Sequence, residues 1–218
     1  EDGAKSLSPD GNYLVFQTQR PEPPHNEWLI YDRTRRGVKQ NASGQEQLFD
    51  FNAFFGIRWT PDGKSFIITD GAHIEIVDTE SLEHRTIYES PGKIRFPSCR
   101  PGWPNAPVFS YEESLGLMDR FKIWIVNSAL GSSREVPGTN PVWSPDGRIL
   151  AYREEKRRLC LFAYKTVDNG GYTYFKTRNF TMIRDPRWSP SGNYVSFGDE
   201  GGKVYTMNTW IHAITEVL

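Results

Sequence analysis

Hydrophobic and polar residues alternate along this chain in short runs, and no segment holds a helical period over three turns. His73-Ile-Glu-Ile-Val-Asp78 places Ile74 and Ile76 on alternate positions, the mark of a half-buried strand, and Lys122-Ile-Trp-Ile-Val-Asn127 reads as its equivalent. Glu27-Trp-Leu-Ile-Tyr-Asp32, Arg158-Leu-Cys-Leu-Phe-Ala163 and Lys203-Val-Tyr-Thr-Met-Asn208 read as equivalent strands. Ahead of each such run comes a turn motif. Leu7-Ser-Pro-Asp-Gly-Asn-Tyr-Leu-Val-Phe16 recurs as Trp59-Thr-Pro-Asp-Gly-Lys-Ser-Phe-Ile-Ile68, as Trp143-Ser-Pro-Asp-Gly-Arg-Ile-Leu-Ala-Tyr152 and as Trp188-Ser-Pro-Ser-Gly-Asn-Tyr-Val-Ser-Phe197. Proline sets φ at the second turn position, and glycine accepts the positive φ that strains other residues.

The turn prolines stand at 9, 61, 145 and 190, so the gaps are 52, 84 and 45. The double-length gap demands a fifth, damaged copy. Arg95-Phe-Pro-Ser98 fills its place, with the turn stretched over Cys99 to Pro107 and the strand resumed at Val108-Phe-Ser110. Five copies of about 44 residues each fall in the range of propeller blades. Fourth, more polar strands are expected at 45–49, 85–88, 133–136, 172–176 and 213–217. The expected fold is all-β, a single five-bladed β-propeller of four-stranded antiparallel blades. One domain then spans 1–218, with blades at about 1–52, 53–91, 92–138, 139–182 and 183–218. A thin four-stranded sheet must bury both faces against its neighbours. Trp59, Trp143 and Trp188, with Phe96 and Leu7 in the same register, are therefore expected as wedges between blades rather than as a binding cage.

Composition narrows the function. The net charge is −1, from 26 Lys+Arg against 27 Asp+Glu, which excludes a generically basic nucleic-acid binder. The basic stretch Arg33-Thr-Arg-Arg-Gly-Val-Lys39 is short and free of aromatics, so it reads as a solvated hairpin tip. Mean hydropathy is −0.60, and no apolar run approaches the ~20 residues of a membrane helix. Cys99 and Cys160 lack metal spacing and read as buried thiols, with a single disulfide between them as the alternative. His25, His73, His84 and His212 are isolated, so no metal or cofactor is expected. His73 and His84 flank one hairpin and are the only pair expected to approach each other. Asp70-Gly71 and Asp199-Glu-Gly-Gly202 look like tight turns, not calcium loops. No Gly-x-Ser-x-Gly elbow occurs. Asp185 is the one acid on the expected inner strands, which leaves a paired-carboxylate mechanism without its second group.

Two candidate sites remain. Arg58, Arg95 and Arg187 each precede a wedge aromatic. Facing a common channel, three guanidinium groups would hold a small carboxylate or phosphate. Alternatively each pairs with the Asp of a neighbouring turn, such as Asp62 or Asp146. The second site is the loop from Pro97 to Pro107, where Trp103 and Arg100 are expected either to anchor a protein partner or to form a lid over a widened blade gap.

The Trp-Ser-Pro-Asp-Gly-Arg/Lys-x-Leu/Ile-Ala/Val-Phe/Tyr pattern resembles the repeat of TolB-type propellers, the WD40-like or PD40 repeat. Four clear copies and one degenerate copy carry the resemblance over nearly the whole chain. It implies a non-catalytic scaffold that binds a protein or peptide partner, in a periplasmic or secreted setting. The same repeat occurs in the propeller domains of peptidases, so an accessory domain of a hydrolase, or a propeller enzyme, is the alternative.

Overall fold

The computed structural model describes residues 5–21, 24–40, 57–90, 92–102, 108–114, 121–154, 157–165, 170–178, 180 and 183–217. Among them there is no helix. The strands form five four-stranded antiparallel sheets, each built from consecutive strands in chain order. The first holds β1 (Lys5–Leu7), β2 (Tyr13–Pro21), β3 (Pro24–Asp32) and β4 (Gly37–Val38). The second holds β5 (Arg58–Trp59), β6 (Ser65–Thr69), β7 (His73–Asp78) and β8 (His84–Glu89). The third holds β9 (Lys93–Cys99), β10 (Val108–Ser114), β11 (Phe121–Asn127) and β12 (Ser132–Pro137). The fourth holds β13 (Thr139–Trp143), β14 (Ile149–Glu154), β15 (Arg158–Lys165) and β16 (Gly170–Lys176). The fifth holds β17 (Arg184–Trp188), β18 (Tyr194–Gly198), β19 (Val204–Asn208) and β20 (Ile214–Glu216). The chain divides into two compact units, Glu1–Pro97 and Ser98–Leu218.

The repeated turn builds itself from its own side chains. Ser144 Oγ donates to Asp146 Oδ1 at 2.6 Å and accepts from the amide of Ile149, while Asp146 also accepts from the amide of Arg148. Ser8 and Asp10 do the same in the first sheet, as do Thr60 and Asp62 in the second. The turn glycines Gly11, Gly63, Gly147 and Gly192 all lie at φ between 68° and 74°. That is the left-handed region in which a Cβ costs about 1–2 kcal/mol.

Apolar faces meet between consecutive sheets of each unit. In the first unit Val15, Trp28 and Ile30 pack with Phe66, Ile68 and Val77, and Trp59 lies against this cluster. In the second, Trp143 joins Val108, Ile123 and Ile125 to Leu150 and Phe162. Trp188 packs where the fourth and fifth sheets meet, and its Nε1 donates to the Val142 carbonyl at 3.0 Å. Each indole thus wedges against the sheet that precedes it in the chain. Leu7 does not. It is 61% exposed, and within its unit no sheet precedes β1.

Phe96 is displaced from the wedge register as well. Asn140 in β13 and Asp185 in β17 hold positive φ, 52° and 44°, at bulges that sit three residues before Trp143 and Trp188. Phe96 holds φ 45° in β9 and is followed by proline as they are. Asn140-Pro-Val-Trp143, Asp185-Pro-Arg-Trp188 and Phe96-Pro-Ser-Cys99 therefore correspond, and Cys99 takes the Trp position. The damaged turn is then Arg100-Pro101-Gly102, with Gly102 at φ 99°. Its proline stands 40 residues after Pro61 and 44 before Pro145, which evens out the repeat.

One fourth strand also moves. β4 follows directly after the turn at 33–36 and pairs with Tyr31 and Asp32, whereas the expected 45–49 lies outside the described residues. The insertion after Arg20 lengthens the β2–β3 hairpin, which pairs out to Pro21 and Pro24. Cys99 and Cys160 are free and buried, and burial pushes the Cys160 thiol up to about 12.

Candidate functional site

The three candidate arginines do not share one register. Arg58 in β5 donates to the carbonyl of Ile57 at 2.9 Å. Arg187 in β17 is exposed and makes the same bond to Pro186 at 3.2 Å. Arg95 precedes the left-handed Phe96 as Arg184 precedes Asp185, so Ser98 stands in the place of Arg187. Asp62 and Asp146 cap their own turns, and the guanidinium that Asp146 meets, at 3.9 Å, is that of Arg148 in the same turn. His73 pairs with Asp70 at 2.8 Å and His84 with Glu75 at 2.7 Å, at opposite ends of the β7–β8 pair. The two histidines are not brought together. Asp70 and Asp199 accept backbone amides across tight hairpin turns. No group of three or more His, Cys, Asp or Glu could hold a metal ion among the described residues.

Trp103 lies outside the described residues. Arg100 is placed clearly. Its Nε donates to the Gly147 carbonyl at 2.6 Å, and its guanidinium lies 5.3 Å from the centre of the Tyr164 ring. A Cβ on Gly147 would meet Arg100 Cγ at 3.1 Å and the Pro101 carbonyl at 3.2 Å. Gly192 faces Pro145 in the same way, and Gly63 faces Pro9. Arg100 thus docks the third sheet's turn onto the fourth sheet's turn and forms one wall of a cleft.

The turns between third and fourth strands reveal what the sequence reading passed over. Four of them share one geometry. Asp32, Asp78, Asn127 or Asn208 accepts backbone amides two or three residues on. The fourth residue on, Arg36, Leu82, Gly131 or His212, sits at φ between 53° and 63°. Such a turn projects its two tip residues into water. The tips are Thr34-Arg35, Glu80-Ser81, Ala129-Leu130 and Trp210-Ile211. The last pair is 78% and 74% exposed. Nothing in the turn demands an indole and a branched aliphatic there, because Glu-Ser closes the same turn at 80–81.

Trp210 does not stand alone. Its Nε1 donates to Asn193 Oδ1 at 3.0 Å, which fixes the ring. His212 stacks on Phe175 with centroids 4.0 Å apart, and Tyr174 lies 6.1 Å from the same imidazole. Trp210, Tyr174, Pro145 and Ile149 line a cleft of about 510 Å³. A second cleft of about 580 Å³ is lined by Arg100, Tyr164, Tyr172 and Ala163, and shares Arg148, Ile149 and Tyr174 with the first. The two form a continuous trough across the fourth sheet's Ser-Pro-Asp-Gly turn. Burial pushes the Tyr174 phenol up to about 12, with Asp146 and Tyr172 adding to the rise, so it stays a neutral hydrogen-bonding group. Among the described residues Asp146 is the one carboxylate lining either cleft, and it caps its own turn. The trough offers apolar surface, ring faces and cations, the means of recognition.

No protein-family model matches the chain, and no curated protein matches it. Solved structures do. The β-propeller domain of Cps50 (Swd1) from Myceliophteria thermophila superposes with a TM-score of 0.69 at 12% identity, over 97% of this chain and 67% of that one. A chain of the Mitotic Checkpoint Complex gives 0.65 at 14% identity, over 98% and 62%. The fold is a five-bladed β-propeller. The sheets are its blades, and the chain spans about two thirds of the length of these two neighbours.

Proposed function

We propose that residues 1–218 form one non-catalytic propeller domain, a TolB-like scaffold that binds a protein or peptide partner through the turn-bearing end of blades four and five. The observation that carries this reading is the Trp210-Ile211 tip, a large apolar pair held in water by a turn that blades one and two close with polar residues. Exposed aromatics grouped around a cleft are how interfaces anchor a partner. A similar propeller chain belongs to the Mitotic Checkpoint Complex, a protein assembly, which agrees with a scaffold role.

Photo-cross-linking tests the reading. A benzophenone amino acid at Ile211 is expected to give a discrete adduct with a second protein in the native host. The same group at Ser81, on the equivalent turn of blade two, is expected to give none. Equal adducts from both positions, or none from 211, overturn the reading.

A further inference from the structure

We infer that the trough takes an extended acidic peptide segment that carries one large apolar side chain, an inference that rests on the scaffold reading above. The cleft beneath Trp210 fixes the apolar requirement. Its 510 Å³ exceeds the bulk of a single aromatic side chain, and Tyr174, Pro145 and Ile149 line it. The cations fix the charge. Arg148 lies in the lining of both clefts, its side chain is 82% exposed, and it meets Asp146 only at 3.9 Å. Lys165 ends β15 and is exposed at the same end of the blade, since the Tyr164 amide donates to the Arg148 carbonyl. Arg100 closes the far wall. Among the described residues, two cations of the lining, Arg148 and Arg100, therefore meet one carboxylate, which already accepts from Ser144 and Arg148, and Lys165 adds a third cation at the same end of the blade.

Among the described residues, the acids of this unit other than Asp146 collect at the opposite end. In a blade the second strand leaves the turn and the third returns to it. Glu112, Glu113, Glu154 and Asp199 thus lie at the far strand ends. There Glu113 meets Lys122, and Glu154 meets Arg158 and Lys176. Among the described residues, the turn-bearing end of this unit keeps an excess of positive charge, Arg100, Arg148 and Lys165 against Asp146. Complementary charge selects partners and speeds their encounter, while the buried apolar side chain supplies affinity.

Fluorescence polarisation with labelled twelve-residue peptides tests this on the whole chain. The probes hold a central Trp or Phe flanked by Asp and Glu, the same peptides with Lys and Arg in place of the acids, and the same peptides with Ala in place of the aromatic. The acidic aromatic set is expected to bind with micromolar Kd. Removing the aromatic is expected to weaken binding by about thirtyfold, the range of an interface anchor. Arg148→Glu together with Lys165→Glu is expected to reverse the charge preference. Trp210→Ala is expected to abolish binding while circular dichroism stays unchanged. Binding that needs Trp210 but ignores peptide charge overturns the acidic partner and leaves the scaffold reading standing. Binding untouched by Trp210→Ala removes both. Self-association of the chain that Trp210→Ala abolishes, with no peptide bound, identifies a second copy as occupant and overturns the inference.

Discussion

At the residue scale, glycines that look alike in sequence carry different loads. Gly147 at φ 68° and Gly131 at φ 59° both occupy the left-handed region. Only Gly147 has neighbours that a Cβ would press on, Arg100 Cγ at 3.1 Å and the Pro101 carbonyl at 3.2 Å, while Gly131 has nothing within 4 Å. Both alanine variants accept the backbone strain of about 1 kcal/mol. Gly147→Ala is expected to add the displacement of Arg100 from its 2.6 Å bond, for a total of about 2–3 kcal/mol. Urea unfolding midpoints of the two variants check this, and equal losses would contradict the docking of the Arg100 turn. The same scale explains why Arg100 was legible only as an interface candidate. Its partner is a backbone carbonyl 47 positions away, which no local pattern announces.

At the element scale, the repeat made the five four-stranded blades readable, because turn chemistry and strand period are local properties. Proline, glycine and the serine-aspartate pair specify each first turn regardless of what packs on it. The register inside the damaged copy was not readable in the same way. Aligning it by an aromatic placed Phe96 among the wedges, whereas the backbone bulge before proline places Cys99 there. Wedge positions differ in what they bury. Trp143→Ala is expected to destabilise by about 3–5 kcal/mol, since it opens a cavity between blades three and four. Leu7→Ala, at an exposed position of the same register, is expected to cost under about 0.5 kcal/mol. Calorimetric unfolding of both variants checks the pair, and similar losses would show that Leu7 is a wedge after all.

At the scale of the molecule, the candidate site was the least legible part. The conspicuous indoles of the sequence, Trp59, Trp143 and Trp188, pack between sheets. The trough is assembled from turns of blades three, four and five, and from Tyr172 and Tyr174 on one outer strand. These come together only once the sheets stack. One signal was present all along. Setting the third-to-fourth-strand turns side by side shows Trp-Ile where the others carry Thr-Arg, Glu-Ser or Ala-Leu. A scaffold keeps such a pair for its partner, because folding gains nothing from apolar groups left in water. Calorimetric unfolding of the double variant Trp210→Thr, Ile211→Asn tests that claim most directly. The account predicts a Tm within about 2 °C of the parent chain, and a fall of more than about 8 °C would show that the pair belongs to the core and contradict the binding surface.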